Sequence, residues 1–198
     1  MAVLSKRDDP EARGRAEAEL IEAVVALLTD GTPYASLSIS KIAERAGHTR
    51  TGFYFYFRDK RDLLMSATSR LVEELFRGTT TWLEGPGGSA ELQRALSQVL
   101  HAYRRSSALL RALIEATTYD AVIATYWHDE IGRFIAATAQ RLERDGLPAT
   151  QARGTADALV WMVERVYYQR VLNDDPEEDK LAIDSLTAIW ARTLNLST

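Results

Sequence analysis

The sequence predicts an all-α fold: a small three-helix module near the N-terminal end, then a larger helical bundle, about nine helices in all. Long stretches place apolar residues at a 3.6-residue period, and none alternates convincingly at period two. All five prolines, at positions 10, 33, 86, 148 and 176, fall where helical patterns start or stop. With 46% hydrophobic and 26% charged residues over 198 positions, the composition suits one ordinary domain, or a small domain joined to a medium one.

Residues 1–12 are polar and read as a flexible arm. A first helix is expected from about Arg13 to Thr29, with Leu20, Val24, Leu27 and Leu28 on its apolar face, widened by Ile21 and Val25. Asp30-Gly31-Thr32-Pro33 stops it, and Tyr34 and Leu37 anchor the connection. Ser38 suits the cap of a second helix, whose Ile39, Ile42, Ala43 and Ala46 fall at i, i+3, i+4 and i+7. Gly47 suits the left-handed position after that helix. Thr49 suits the N-cap of a third, with Phe53 and Phe57 facing inward. Helix, short glycine-containing turn, helix is the arrangement that can place its second helix in a DNA major groove.

Asp59 then caps a long helix carrying Leu63, Leu64, Ala67, Leu71 and Leu75, extending to about Leu83, with Asp62 favourable in its first turn. Gly85-Pro86-Gly87-Gly88 is the clearest break. Five more helices are expected near 89–103, 106–117, 119–145, 150–172 and 177–195. The expected organisation is an arm at 1–12, a helix-turn-helix domain at 13–62 and a bundle at 63–198.

The net charge of −4 is unevenly distributed. Between Ser38 and Arg61 six basic residues face two acidic ones, whereas from Leu64 onward 18 acidic residues outnumber 14 basic ones. A basic head on an acidic body fits a DNA-reading module, and equally a charged, solvated face. Absence of cysteine removes disulfide and thiolate chemistry. His48, His101 and His128 are too scattered for a multi-histidine metal site. No apolar run approaches the roughly 18 residues of a membrane span, and the N-terminus lacks the apolar core of a secretory signal, so a cytoplasmic address is expected. An enzyme is not expected: there is no glycine-rich phosphate loop, and in His128-Asp129-Glu130 neighbouring helical positions do not face one another.

Leu37 through Gly47, followed by Gly52-Phe53-Tyr54-Phe55-Tyr56-Phe57-Arg58-Asp59-Lys60, closely resembles the DNA-binding module of TetR-family transcriptional regulators. The match covers about residues 15–65. Phe53 to Phe57, Trp127, Met162 to Arg165 and Leu186 to Trp190 are further similar to an EthR-like subfamily. The family resemblance implies a homodimer, joined through the last two helices, that represses from a palindromic operator until a small molecule releases it. An architectural or cell-division factor of the same fold, without an inducer, is the competing reading. No cofactor is implied.

On this reading the third helix carries the DNA contacts. Thr49 offers a hydroxyl and a helix start to a phosphate. Arg50 can grip guanine bidentately, and Thr51 can touch a base edge or a thymine methyl. Gly52 lets the backbone approach. The family pattern implies contacts at Arg50, Thr51, Gly52, Tyr54 and Tyr56, the tyrosines bonding phosphates through their hydroxyls. Lys60 is expected to clamp a phosphate, and Ser38 and Lys41 to reach the DNA backbone. His48 stands where the family usually has Val or Ile, and is expected to pack in the turn.

In the bundle, Leu92, Val99 and Tyr103 align on one helix, Trp127, Ile131, Phe134 and Thr138 on another, Val160, Val163 and Tyr167 on a third, and Trp190 lies on the last. The subfamily resemblance implies that most of these line a pocket for an apolar effector. The same pattern is that of an ordinary packed core. Polar amides implied by the resemblance are replaced here by Val160 and Val163, which puts their hydrogen bond to an effector carbonyl in doubt. Glu115, Glu164 and Arg165 interrupt apolar stretches and read as ligand contacts or as an internal ion pair or solvated edge, the latter favoured, and 174–179 reads as a solvated acidic turn.

Overall fold

The computed structural model describes residues 10–173 and 175–194. Among these are nine α-helices, a single 3-10 turn at Tyr34–Ser36 and no strand. The helices are α1 (Pro10–Thr29), α2 (Ile39–Arg45), α3 (Arg50–Phe53), α4 (Lys60–Glu84), α5 (Ser89–Arg105), α6 (Ser107–Thr117), α7 (Ala121–Arg144), α8 (Ala149–Leu172) and α9 (Pro176–Thr193). The all-α expectation therefore holds. None of the described helices is long and apolar enough to cross a membrane.

Helix α1 is already helical at Pro10, the first described residue, ahead of the start expected near Arg13, and proline is tolerated in a first helical turn. Residues 10–12 of the expected arm are thus helical, and 1–9 lie outside the described residues. The predicted caps are in place. Ser38 Oγ accepts from Lys41 N at 3.2 Å and Thr49 Oγ1 from Gly52 N at 2.9 Å. Asp59 Oδ1 accepts from Arg61 N and Asp62 N at 2.8 and 2.9 Å. Gly47 sits at φ +72°; its N–H donates to Glu44 O and that of His48 to Ala43 O, so the last carbonyls of α2 are satisfied.

The chain packs as two compact units. The first is Met1–Arg70 with Ala108–Ile123, the second Leu71–Ser107 with Ala124–Thr198. The packing division thus falls within α4, downstream of the functional boundary expected near residue 62, and α6 joins the first unit. Leu109, Leu110, Leu113 and Ala116 of α6 are all buried, and periodicity alone cannot say which neighbours such a face selects. In the first unit α2 packs on α1 and on α3, with Leu20, Val24, Ile42, Phe53 and Leu63 fully buried. In the second, α5 packs on α8 and α9.

One buried cation holds the break after α4. Arg141 of α7, 3% exposed, donates to the carbonyl oxygens of Trp82, Gly85 and Gly87 and pairs with Asp145 at 2.7 Å. Those carbonyls belong to a helix end and a glycine-rich turn that would otherwise leave them without partners. The acidic turn before α9 is also put to use. Asp175 caps α9 through the N–H groups of Glu177 and Glu178, and Asp179 pairs with Arg104 at 2.5 Å. Asp174 lies outside the described residues.

Candidate DNA-binding and effector sites

Helix α3 is a single turn. After Phe53 the chain tightens, with Phe55 N–H donating to Gly52 O and Tyr56 N–H to Phe53 O. Phe53 and Phe57 are buried, as their spacing predicts, and their rings lie 5.8 Å apart. That anchor turns the other side of the segment outward. Thr49, Arg50, Thr51 and Tyr54 are exposed, and Gly52 and Tyr56 half-buried. Tyr54 and Tyr56 therefore leave from the turn that follows α3, not from the helix. Phe55 is 56% exposed, an unusual amount for such a ring. Among the described residues Arg50 forms no ion pair, so its guanidinium is available to a ligand. Ser38 and Lys41 are exposed at the start of α2, where Lys41 Nζ reaches Thr32 Oγ1 at 3.3 Å.

Lys60 departs from its expected role. Its ammonium donates to the carbonyl oxygens of Tyr34, Ala35 and Leu37 at 3.1, 3.1 and 3.2 Å, and lies 4.7 Å from the centre of the Tyr34 ring. All three of its protons are used within the fold. Burial lowers its pKa. Lys60 is thus a clasp between the first turn of α4 and the 3-10 turn, with no donor left over for a phosphate. His48 is also placed. Its Nε2 lies 2.8 Å from Glu19 Oε2 of α1, and its ring meets the edge of Tyr56 at 6.0 Å.

The second unit contains a cavity of about 80 Å³, several times the ~10–15 Å³ a single water centre requires. Ten of the expected effector residues line it: Leu92, Val99, Tyr103, Trp127, Ile131, Phe134, Thr138, Val160, Val163 and Trp190. Tyr167 does not. It is fully buried against Tyr103, and its hydroxyl donates to Leu96 O at 3.0 Å, which makes it part of the frame. Sequence reasoning missed the α4 wall, Leu75, Thr79, Trp82 and Leu83. Its signal was present: 75, 79 and 82 stand at i, i+4 and i+7. For Glu164 the ligand-contact alternative fits the structure better than the favoured ion pair or solvated edge. It forms no ion pair among the described residues and is not at a solvated edge; it is 7% exposed and lines the cavity. Glu115 and Arg165 are the solvated members of that trio. No group of side chains suited to a metal ion occurs among the described residues.

The comparisons with known proteins agree with both halves. The family described as "Bacterial regulatory proteins, tetR family" matches residues 20–67, and "Transcriptional regulator EthR, C-terminal domain" matches residues 92–195. The HTH-type transcriptional regulator EthR of Mycobacterium tuberculosis is 26% identical over 176 residues, spanning 84% of this chain and 82% of its own. That of Mycolicibacterium smegmatis is 26% identical over 175 residues, spanning 84% and 81%. Among solved structures, a transcriptional regulator from Rhodococcus sp. Rha1 superposes with a TM-score of 0.72 at 19% identity, covering 94% of this chain and 99% of that one. The regulator FadR of Bacillus subtilis, solved in complex with stearoyl-CoA, gives 0.69 at 17% identity over 88% and 97%. At such identities the structural likeness shows the fold. Proteins of the matched families are transcriptional regulators, not enzymes. The buried aromatic anchor, the outward face of α3 and the matched families together place this chain in the TetR family of bacterial regulatory proteins, with a C-terminal domain of the EthR type.

Proposed function

We propose that the protein is a cytoplasmic homodimeric repressor that leaves a palindromic operator when a small, largely apolar molecule enters the second-unit cavity. The observation that carries the DNA half is the exposed set Thr49, Arg50, Thr51 and Tyr54 around a capped, one-turn α3 whose other side is anchored by Phe53 and Phe57. Arg50 is the base reader, Thr51 a base or methyl contact, and Thr49, Tyr54 and Tyr56 bond phosphates while Gly52 admits the backbone. Ser38 and Lys41 add backbone contacts from α2. Pairing through α8 and α9 sets two such heads about 34–36 Å apart, one turn of DNA.

The cavity supports an effector over the architectural alternative, which is better served by a sealed, fully packed bundle. Helix α4 is continuous from Lys60 to Glu84, so a ligand that displaces Leu75, Thr79 or Trp82 acts on the helix that also carries the Lys60 clasp. Selection of bound fragments from random DNA tests the DNA half. The expected product is an inverted repeat whose enrichment disappears with Arg50→Ala; fragments without a common sequence would overturn it.

A further inference from the structure

Of the 17 residues lining the cavity, none is Lys, Arg or His, and Glu164 is the one that can carry charge at neutral pH. It projects from α8 one turn beyond Val160. Burial pushes its carboxyl above the ordinary carboxylate range. The exposed neighbour Arg165 offsets this only in part, and the Trp127 indole, near enough to help, stands outside hydrogen-bonding geometry. Tyr103 faces the acid: burial raises its phenol pKa, and the Glu164 charge raises it further. A charge kept from water without a counter-charge is strongly unfavourable, so this carboxylate lacks the partner that burial calls for.

The remaining wall is aromatic. Trp82 and Trp190 meet edge to face at 5.5 Å, and Trp127, Phe134 and Tyr103 contribute further rings. Ring faces attract cations, and a carboxylate in the same water-poor space forms a charge-assisted hydrogen bond with an ammonium. A neutral donor can hydrogen-bond the acid but brings no counter-charge, and an anion is repelled. With amides absent at Val160 and Val163, the other polar groups of the wall are the hydroxyls of Thr79, Tyr103 and Thr138 and the indole N–H groups of Trp82, Trp127 and Trp190, all neutral, so Glu164 alone can supply a counter-charge.

We propose that the effector is a lipophilic amine, bound with its ammonium on the Glu164 carboxylate and its apolar body among Trp82, Trp127, Phe134 and Trp190. This rests on reading the cavity as the effector site. The amine must enter protonated, or take up the proton that Glu164 gives up on binding.

The test uses the full chain and three probes of one skeleton: 4-phenylbutylamine, 4-phenylbutanol and 4-phenylbutyrate. Binding is read by calorimetry and by quenching of tryptophan fluorescence. The amine is expected to bind at least about tenfold more tightly than the alcohol, and the carboxylate most weakly. Glu164→Gln, close to isosteric, is expected to remove that tenfold preference while leaving the alcohol within about twofold. Ala95→Phe, which fills the cavity, is expected to abolish binding of all three. Equal binding of amine and alcohol by the unaltered protein, or an undiminished amine preference in Glu164→Gln, overturns the amine assignment and leaves the cavity reading standing. Failure of every probe to bind, or binding that Ala95→Phe does not affect, overturns both.

Discussion

Lys60 and Arg50 are both cations within the basic segment, yet their surroundings give them different work. Three carbonyl oxygens saturate Lys60, while Arg50 stands exposed without an ion pair among the described residues. Lys60→Ala should therefore lower the stability of the folded protein by about 1–2 kcal/mol, through three carbonyls deprived of their donor. Urea unfolding reads this directly. A phosphate clamp predicts another pattern: unchanged stability and a salt dependence of DNA binding shallower by about one charge. Arg50→Ala should leave stability alone and cost about 1–3 kcal/mol of discrimination between operator and unrelated DNA, read by fluorescence anisotropy on both. Glu164 gives a pH signature. Its carboxyl has a higher pKa in the folded chain than the ordinary 4.5, so the folded state holds the proton more tightly than the unfolded one. Its contribution to stability is complete below about pH 4.5 and is lost as pH rises through the folded-state value. Glu164→Gln should therefore flatten that decline and stabilise the unliganded protein at neutral pH. A steeper decline in denaturation midpoints would contradict this.

Most helices were legible because their ends carry local chemistry: Ser38, Thr49 and Asp59 as caps, Gly47 as a left-handed stop, the prolines as breaks. Less legible were features that depend on distant partners. The brevity of α3 shows in the tighter bonds after Phe53, Phe55 N–H to Gly52 O and Tyr56 N–H to Phe53 O, while Phe53 and Phe57 stay on one buried face, a change of winding that apolar spacing does not register. The Lys60 clasp joins residues 23 to 26 positions apart, and no short window contains it. Arg141 is similar, since its role is defined by carbonyls of a turn more than fifty residues earlier. Arg141→Met keeps most of the packing but removes the donors. It should destabilise the second unit by about 2–4 kcal/mol and free the 85–88 turn. Hydrogen exchange is the appropriate probe, with faster exchange expected at the end of α4.

For the whole molecule, two properties of the proposed repressor depend on surfaces and spaces that side-chain spacing only partly reveals. Helix α9 leaves Leu181 and Ile189 58% and 42% exposed. If α8 and α9 form the dimer contact, the double change Leu181→Asp and Ile189→Asp should yield monomers by light scattering and weaken operator binding; persistence of the dimer would place the interface elsewhere. Periodicity found ten of the cavity's lining residues, because rings that face a common space share helical faces. It could not tell cavity from core, nor frame from lining, as Tyr167 shows: both sets are equally apolar, and the difference lies in how closely the rings fit. Glu164 stayed open between ligand contact, ion pair and solvated edge for the opposite reason, since a charge on a helix is assigned only once its neighbours are known. Release by an effector requires communication between this cavity and the DNA-reading head. The most direct measurement is the operator Kd, taken with and without whichever phenylbutyl probe saturates the cavity. We predict a loss of affinity of at least about tenfold, absent in Ala95→Phe; an unchanged Kd with the probe demonstrably bound would show that filling the cavity does not release DNA.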